Sequence, residues 1–175
     1  ISLGLVGSEM CIRDRLLCQK TFAEKVFFTN SGAEAVEAAI KTARKFSTSN
    51  FSKSKNEIIA FDDAFHGRTM MAIALNGSKR MTDGFGPMPK SIRHHEFNKI
   101  DGLGSKFSTN TSAVILELVQ GEAGIIPAKK NFVNAIVKLC KKNNALLIID
   151  DVQSGVGRTG SLFTYEQYGL SLIHI

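Results

Sequence analysis

Four short polar clusters carry residue types that could do chemistry, and each follows a run of apolar residues: positions 30–34, 62–68, 120–122 and 150–153. Asp150 closes the apolar run ALLII at 145–149, where an ionised carboxylate is costly unless it meets a cation or several donors. The same residue equally suits a cap for the turn that follows. In TNSGAE, positions 29–34, the backbone N–H groups of Gly32, Ala33 and Glu34 would lie at a helix N-terminus. That is a cradle for phosphate, and Gly32 lets the backbone approach closely. The letters also spell an ordinary capping box, in which Ser31 takes the Glu34 N–H and the Glu34 side chain returns to Ser31. Phe65 beside His66, Gly67 and Arg68 offers a flat ring next to a cation, suited to an aromatic anionic ligand. A packed Phe with a solvated Arg is the plainer alternative, and His66 by itself reads as a hydrogen-bonded loop residue. Glu122 sits in a glycine-bearing loop, where a turn residue is also expected.

No metal centre is expected. His94 and His95 are adjacent and face different directions, and Cys11, Cys18 and Cys140 show neither metal-ligand nor disulfide spacing.

The elements that must position these clusters are legible from periodicity. Residues 25–29, KVFFT, read as a short buried strand feeding a helix that starts at Ser31 and ends near Phe46. Residues 47–56 read as a Ser/Asn/Lys-rich surface loop, 58–61 as a strand and 76–98, with its Gly and Pro residues, as irregular chain. A strand at 113–118 follows, then a helix marked by Phe132, Ala135, Ile136, Leu139 and Cys140, then a strand at 145–149. Nearly continuous apolar strands separated by helices or long crossings predict an α/β fold with a mainly parallel sheet covered on both faces. Ligands of such sheets bind at the carboxyl ends of the strands, which is where all four clusters fall.

The 175 residues are 43% apolar and 22% charged, enough for a packed core. The longest apolar run, residues 70–75, is far short of the roughly 20 residues a bilayer span needs. No secretory segment opens the chain, and with the cysteine usage this predicts a cytoplasmic protein. The net charge of +6 raises nucleic acid as a partner, but the lysines are dispersed and not interleaved with aromatics. Neither nucleic acid nor membrane is therefore expected. Residues 1–15, ISLGLVGSEMCIRDR, and 171–175, SLIHI, resemble translated sequencing adapter and are expected to be non-native tails. Residues 16–170 are then part of a larger domain.

A phosphate cradle, a stacking ring and a carboxylate for a protonated ring nitrogen together suit pyridoxal phosphate. FFTNSGAEAVEAAIKTAR, FHGRT, ELVQGEAG and LLIIDDVQSGVGRTG, in this order, resemble the class III aminotransferases, and among them the acetylornithine and ornithine group.

The resemblance implies the large domain of a fold-type-I pyridoxal-phosphate-dependent transferase, assembled as a homodimer. It assigns the phosphate to Ser31, Gly32 and Ala33, the ring faces to Phe65 and Val152, the phenolic oxygen to Gln153 and the ring nitrogen to Asp150. It assigns a substrate carboxylate to Arg68, and gives Glu122 the task of neutralising a substrate-binding arginine from a later part of the chain. The substrates it implies are an amino acid such as N-acetylornithine and the 2-oxo acid 2-oxoglutarate, in arginine biosynthesis. Ornithine, succinyldiaminopimelate, 4-aminobutyrate and diaminobutyrate remain alternative donors, and a non-catalytic fragment an alternative role. The family often has Asp-Glu at 150–151, Glu-Pro at 117–118 and Gly-Gly at 123–124, where this sequence has Asp-Asp, Glu-Leu and Ala-Gly. The family's Schiff-base lysine comes after the D-x-V-Q motif, and no lysine follows Lys142 here, so the chain alone is expected to be inactive.

Overall fold

Strands made of consecutive apolar residues are stable only when both faces of their sheet are covered. In the computed structural model, which describes residues 4–170, β1 (Glu57–Phe61), β2 (Ile92–His95), β3 (Thr111–Leu116) and β6 (Leu146–Ile149) form one sheet in the order β2-β1-β3-β6, in which the central apolar strands β1 and β3 are buried and the outer strands β2 and β6 are largely half-buried. Every pairing is parallel, with Ile58 opposite Ile92, Ile59 opposite Val114 and Leu116 opposite Ile149. A separate two-stranded antiparallel ribbon joins β4 (Val119–Gln120) to β5 (Ile126–Pro127).

The side-chain alternation of each strand divides the core in two. Ile58, Ala60, Ala113 and Ile115 pack under Val36, Ile40 and Ala43 of α2 (Gly32–Asn50). Ile59, Phe61, Val114 and Leu116 pack against Phe132, Val133 and Ile136 of α6 (Lys130–Asn143) on the other side. Each buried Val, Leu, Ile or Phe among them contributes roughly 1.5–3 kcal/mol. The short helices α3 (Met70–Leu75), α4 (Lys79–Thr82) and α5 (Leu103–Lys106) fill the crossings, and α1 (Gly4–Lys20) precedes them all.

The sheet agrees with the sequence expectation, and four local readings are corrected. Residues 25–29 form no strand: Phe27 is 80% exposed and the segment pairs with none of the described strands. An apolar run alone does not tell a strand from extended chain, since only a neighbouring backbone to bond decides it. Helix α2 continues to Asn50, so Ser47 is buried, with its hydroxyl 3.0 Å from that of Ser112. The segment 76–98 is not wholly irregular, because IRHH finds the edge of β1 and becomes β2. The capping box is also displaced. Ser31 accepts the Glu34 N–H at 3.2 Å, but the Glu34 carboxylate takes the N–H of Asn30 at 2.6 Å instead of that of Ser31. As for the expected tails, 171–175 lie outside the described residues, and α1 runs without interruption through position 15.

Candidate cofactor site

The C-terminal ends of β1, β3 and β6 and the N-terminus of α2 meet around a cavity of about 490 Å3. Gly32 and Ala33 form one side of it, Asp150, Val152 and Gln153 another, and the loop from Phe65 to Arg68 a third. Seven of the residues singled out in the sequence are thus brought together, and Ser31 adjoins them as the N-cap of α2. Glu122 is not among them. It is exposed and lines a neighbouring cavity of about 540 Å3 with Asp62, Arg80, Glu96 and Lys129.

The loop after β1 is held by buried polar bonds. Asn76, fully buried, accepts the His66 N–H at 2.7 Å and donates to the Gly67 carbonyl at 3.3 Å. Glu117 accepts the Phe65 N–H at 3.0 Å. Gly67 has φ 118°, and a Cβ there would come within 2.9 Å of that of Ala33, so only glycine fits between loop and helix. Thr69 caps α3 through the Ala72 N–H and donates its hydroxyl to Glu37 of α2. Phe65 is left half-buried and Arg68 exposed, the guanidinium carbon 5.5 Å from the ring centroid.

Asp150 finds the donors that its position demanded. One carboxylate oxygen lies 2.7 Å from Nδ1 of His66 and the other accepts the Val152 N–H at 3.2 Å. An ionised carboxylate only accepts, so Nδ1 carries the proton, and Nε2 of His66 is then buried without a partner. Asp151 does different work: it receives the Ser154 hydroxyl and the Thr164 N–H, closing the loop from 151 to 164. Two close approaches join the walls. A Cβ at Gly32 would come within 2.7 Å of Val152 Cγ1, and one at Gly121 would overlap the Gln153 carboxamide. Both glycines therefore serve to bring α2 and the 120–122 loop against the 150–153 loop.

Two residues of the site were not identified from the sequence. His66 reads locally as a loop residue, because nothing in the sequence around it shows that it reaches across to Asp150. Glu117 did carry a signal: like Asp150, it is a carboxylate at the end of an apolar run. It is 5% exposed, and burial pushes its carboxyl up to about 7, with Asp150 and Glu122 pushing the same way and His66 and the Phe65 N–H opposing. A carboxyl raised in the folded state favours folding below the ordinary range, and that advantage disappears as pH rises through about 7. Stability should thus fall between about pH 4.5 and 7 by at most about 3 kcal/mol. Glu117→Gln, followed by urea denaturation across this range, should remove that part of the decline; an unchanged pH dependence would exclude it.

The family described as aminotransferase class-III matches residues 4–172. The chain belongs to the class III aminotransferases.

Among its relatives, the succinylornithine transaminase of Photorhabdus laumondii is 46% identical over 154 residues, 88% of this chain and 38% of that protein. The acetylornithine/succinyldiaminopimelate aminotransferase of Buchnera aphidicola is 48% identical over 157 residues, 90% of this chain and 39% of that protein. A structure of the ornithine aminotransferase of Toxoplasma gondii, with pyridoxal phosphate at partial occupancy in its active site, superposes with a TM-score of 0.85 at 26% identity. That match covers 91% of this chain and 39% of the other. The chain thus spans about two fifths of the length of the relatives it matches.

The class implies pyridoxal phosphate as cofactor, and the residues present fit it. A helix N-terminus faces a carboxylate across a cavity that the exposed Val152 and half-buried Phe65 leave open between them. The unpartnered Nε2 of His66 lies in the same wall. Among the described residues no group of His, Cys, Asp and Glu could hold a metal ion, and no helix is long and apolar enough to cross a membrane.

Proposed function

We propose that the complete enzyme to which this segment belongs transfers the terminal amino group of N-acetylornithine, or a closely similar diamino acid, to 2-oxoglutarate in arginine biosynthesis. Bound pyridoxal phosphate supplies an electron sink for the pair left on the substrate carbon when its proton departs. The backbone at Ser31, Gly32 and Ala33 holds the phosphate at the start of α2, Phe65 and Val152 cover the two ring faces, and Gln153 approaches the phenolic oxygen. Asp150, oriented by His66, keeps the ring nitrogen protonated. Arg68 takes a substrate carboxylate in its planar fork, and Glu122 neutralises a second, later arginine when the substrate's other end carries no carboxylate. A cytoplasmic homodimer is the working form.

The observation that carries this reading is the convergence of Gly32, Ala33, Phe65, Arg68, Asp150, Val152 and Gln153 on one cavity. The relative named for succinylornithine favours a second reading, in which the donor is the succinyl analogue. Substrate competition on the complete enzyme tests both. N-acetylornithine should have the highest kcat/KM with 2-oxoglutarate as acceptor, ahead of succinylornithine, ornithine, succinyldiaminopimelate, 4-aminobutyrate and diaminobutyrate. A clear preference for any of these overturns the assignment of the donor, and no transfer from any of them overturns the reaction.

A further inference from the structure

Glu117 stands at the end of β3 in the wall of the cavity, and none of the cofactor contacts above uses it. Its strand neighbour is the Asp150 segment, whose N–H donates to the Leu116 carbonyl at 2.9 Å. Among the described residues no lysine or arginine is paired with it. Its recorded bond is the one from the Phe65 N–H to Oε2. A buried carboxyl without a cation is a poor stabiliser, and such groups concentrate where a ligand needs them.

We propose that Glu117 is a positioning residue of the cofactor cavity: from the end of β3 it pins the backbone that carries the Phe65 ring. The uncharged form leaves Asp150 as the negative charge directed at the ring nitrogen. Ionised, Glu117 adds a second negative charge to a cavity that must accept an anionic phosphate compound. The charged and titratable groups facing it are Asp150 after β6, His66 and Arg68 after β1, and Glu122 after β4. Burial, with Asp150 and Glu122, pushes its carboxyl up to about 7, against the Phe65 N–H and His66, which favour the ionised form.

The inference rests on the cavity being the pyridoxal phosphate site, and the test separates the two. The complete enzyme, stripped of cofactor, is titrated with pyridoxal phosphate between about pH 6 and 9, reading the dissociation constant and the induced circular dichroism of the bound ring. At the acid end Glu117→Ala should weaken binding by about tenfold or more and diminish the dichroism, because the Phe65 amide loses its acceptor. Glu117→Gln, uncharged and still an acceptor, should restore both to within about threefold. Above about pH 7 the wild type should lose affinity relative to Glu117→Gln, by up to about tenfold per pH unit. Unchanged affinity and dichroism in the Ala variant, or a flat ratio of wild type to Gln across the range, overturns the inference and leaves the cofactor site standing. Absence of cofactor binding by the wild type at every pH overturns both. If the Ala variant does not fold, the ratio of wild type to Gln decides alone.

Discussion

Replacing Asp150 by Asn in the complete enzyme is expected to lower kcat by about 10²–10³-fold while the cofactor stays bound, the range seen when one preorganised electrostatic group is removed from a reacting centre. The substitution keeps the shape of the side chain. His66 Nδ1–H, 2.7 Å from Oδ2 in the native site, can still donate to the carboxamide oxygen. On the proposed role, what would be lost is the negative charge that would keep the ring nitrogen of bound pyridoxal phosphate protonated, and with it the electron-withdrawing power the cofactor would supply. Absorbance of the bound cofactor and single-turnover rates measured on the same samples separate binding from chemistry. Normal turnover in Asp150→Asn would refute the role.

Arg68→Lys should raise KM for carboxylate substrates by about 10–100-fold with a smaller change in kcat. Two charge-assisted hydrogen bonds in a planar fork give way to a point charge, and a bond to a charged group is worth about 1.5–3 kcal/mol. The guanidinium is placed for such work: it is exposed at the cavity and 5.5 Å from the Phe65 ring centroid. Its loop is fixed by Asn76 and Glu117, so the lysine variant should alter the contact and leave the loop in place. Steady-state kinetics with 2-oxoglutarate and with a monocarboxylate acceptor check it, and equal KM values in wild type and variant would remove Arg68 from the substrate site.

Much of this molecule is legible in one dimension because its signals are local. Residues 58–61, 113–116 and 145–149 are apolar at every position and read as sheet strands, which is how β1, β3 and β6 are found, β1 and β3 buried and the outer strand β6 half-buried. The stripe from Phe132 to Cys140 states its own helix in the same way. Ser31 announces the start of α2 three residues ahead of Glu34. The extended run at 25–29 misleads for the complementary reason: β-propensity describes a surface that would fit a sheet, and supplies no edge for it to join. Likewise β2 is hidden in 76–98 because IRHH has little apolar character of its own and is a strand by virtue of the β1 edge beside it.

For the site, the sequence by itself determined the residue types, their order and their attachment to strand ends: a carboxylate closing an apolar run, a capped helix after an apolar segment, a ring next to an arginine. The family came from the resemblance of four ordered motifs, and each of these local features alone also has a plainer reading. Only the tertiary structure decided who meets whom. His66 and Asp150 are 84 residues apart, and Phe65 and Glu117 are 52 apart. Such pairings depend on strand order and register, which place β3 between β1 and β6. The same register put Glu117 into the cavity wall and left Glu122 in the next cavity. Burial and the fields of distant charges are properties of that three-dimensional arrangement, so the raised carboxyl of Glu117 could be neither read nor excluded before the chain was folded.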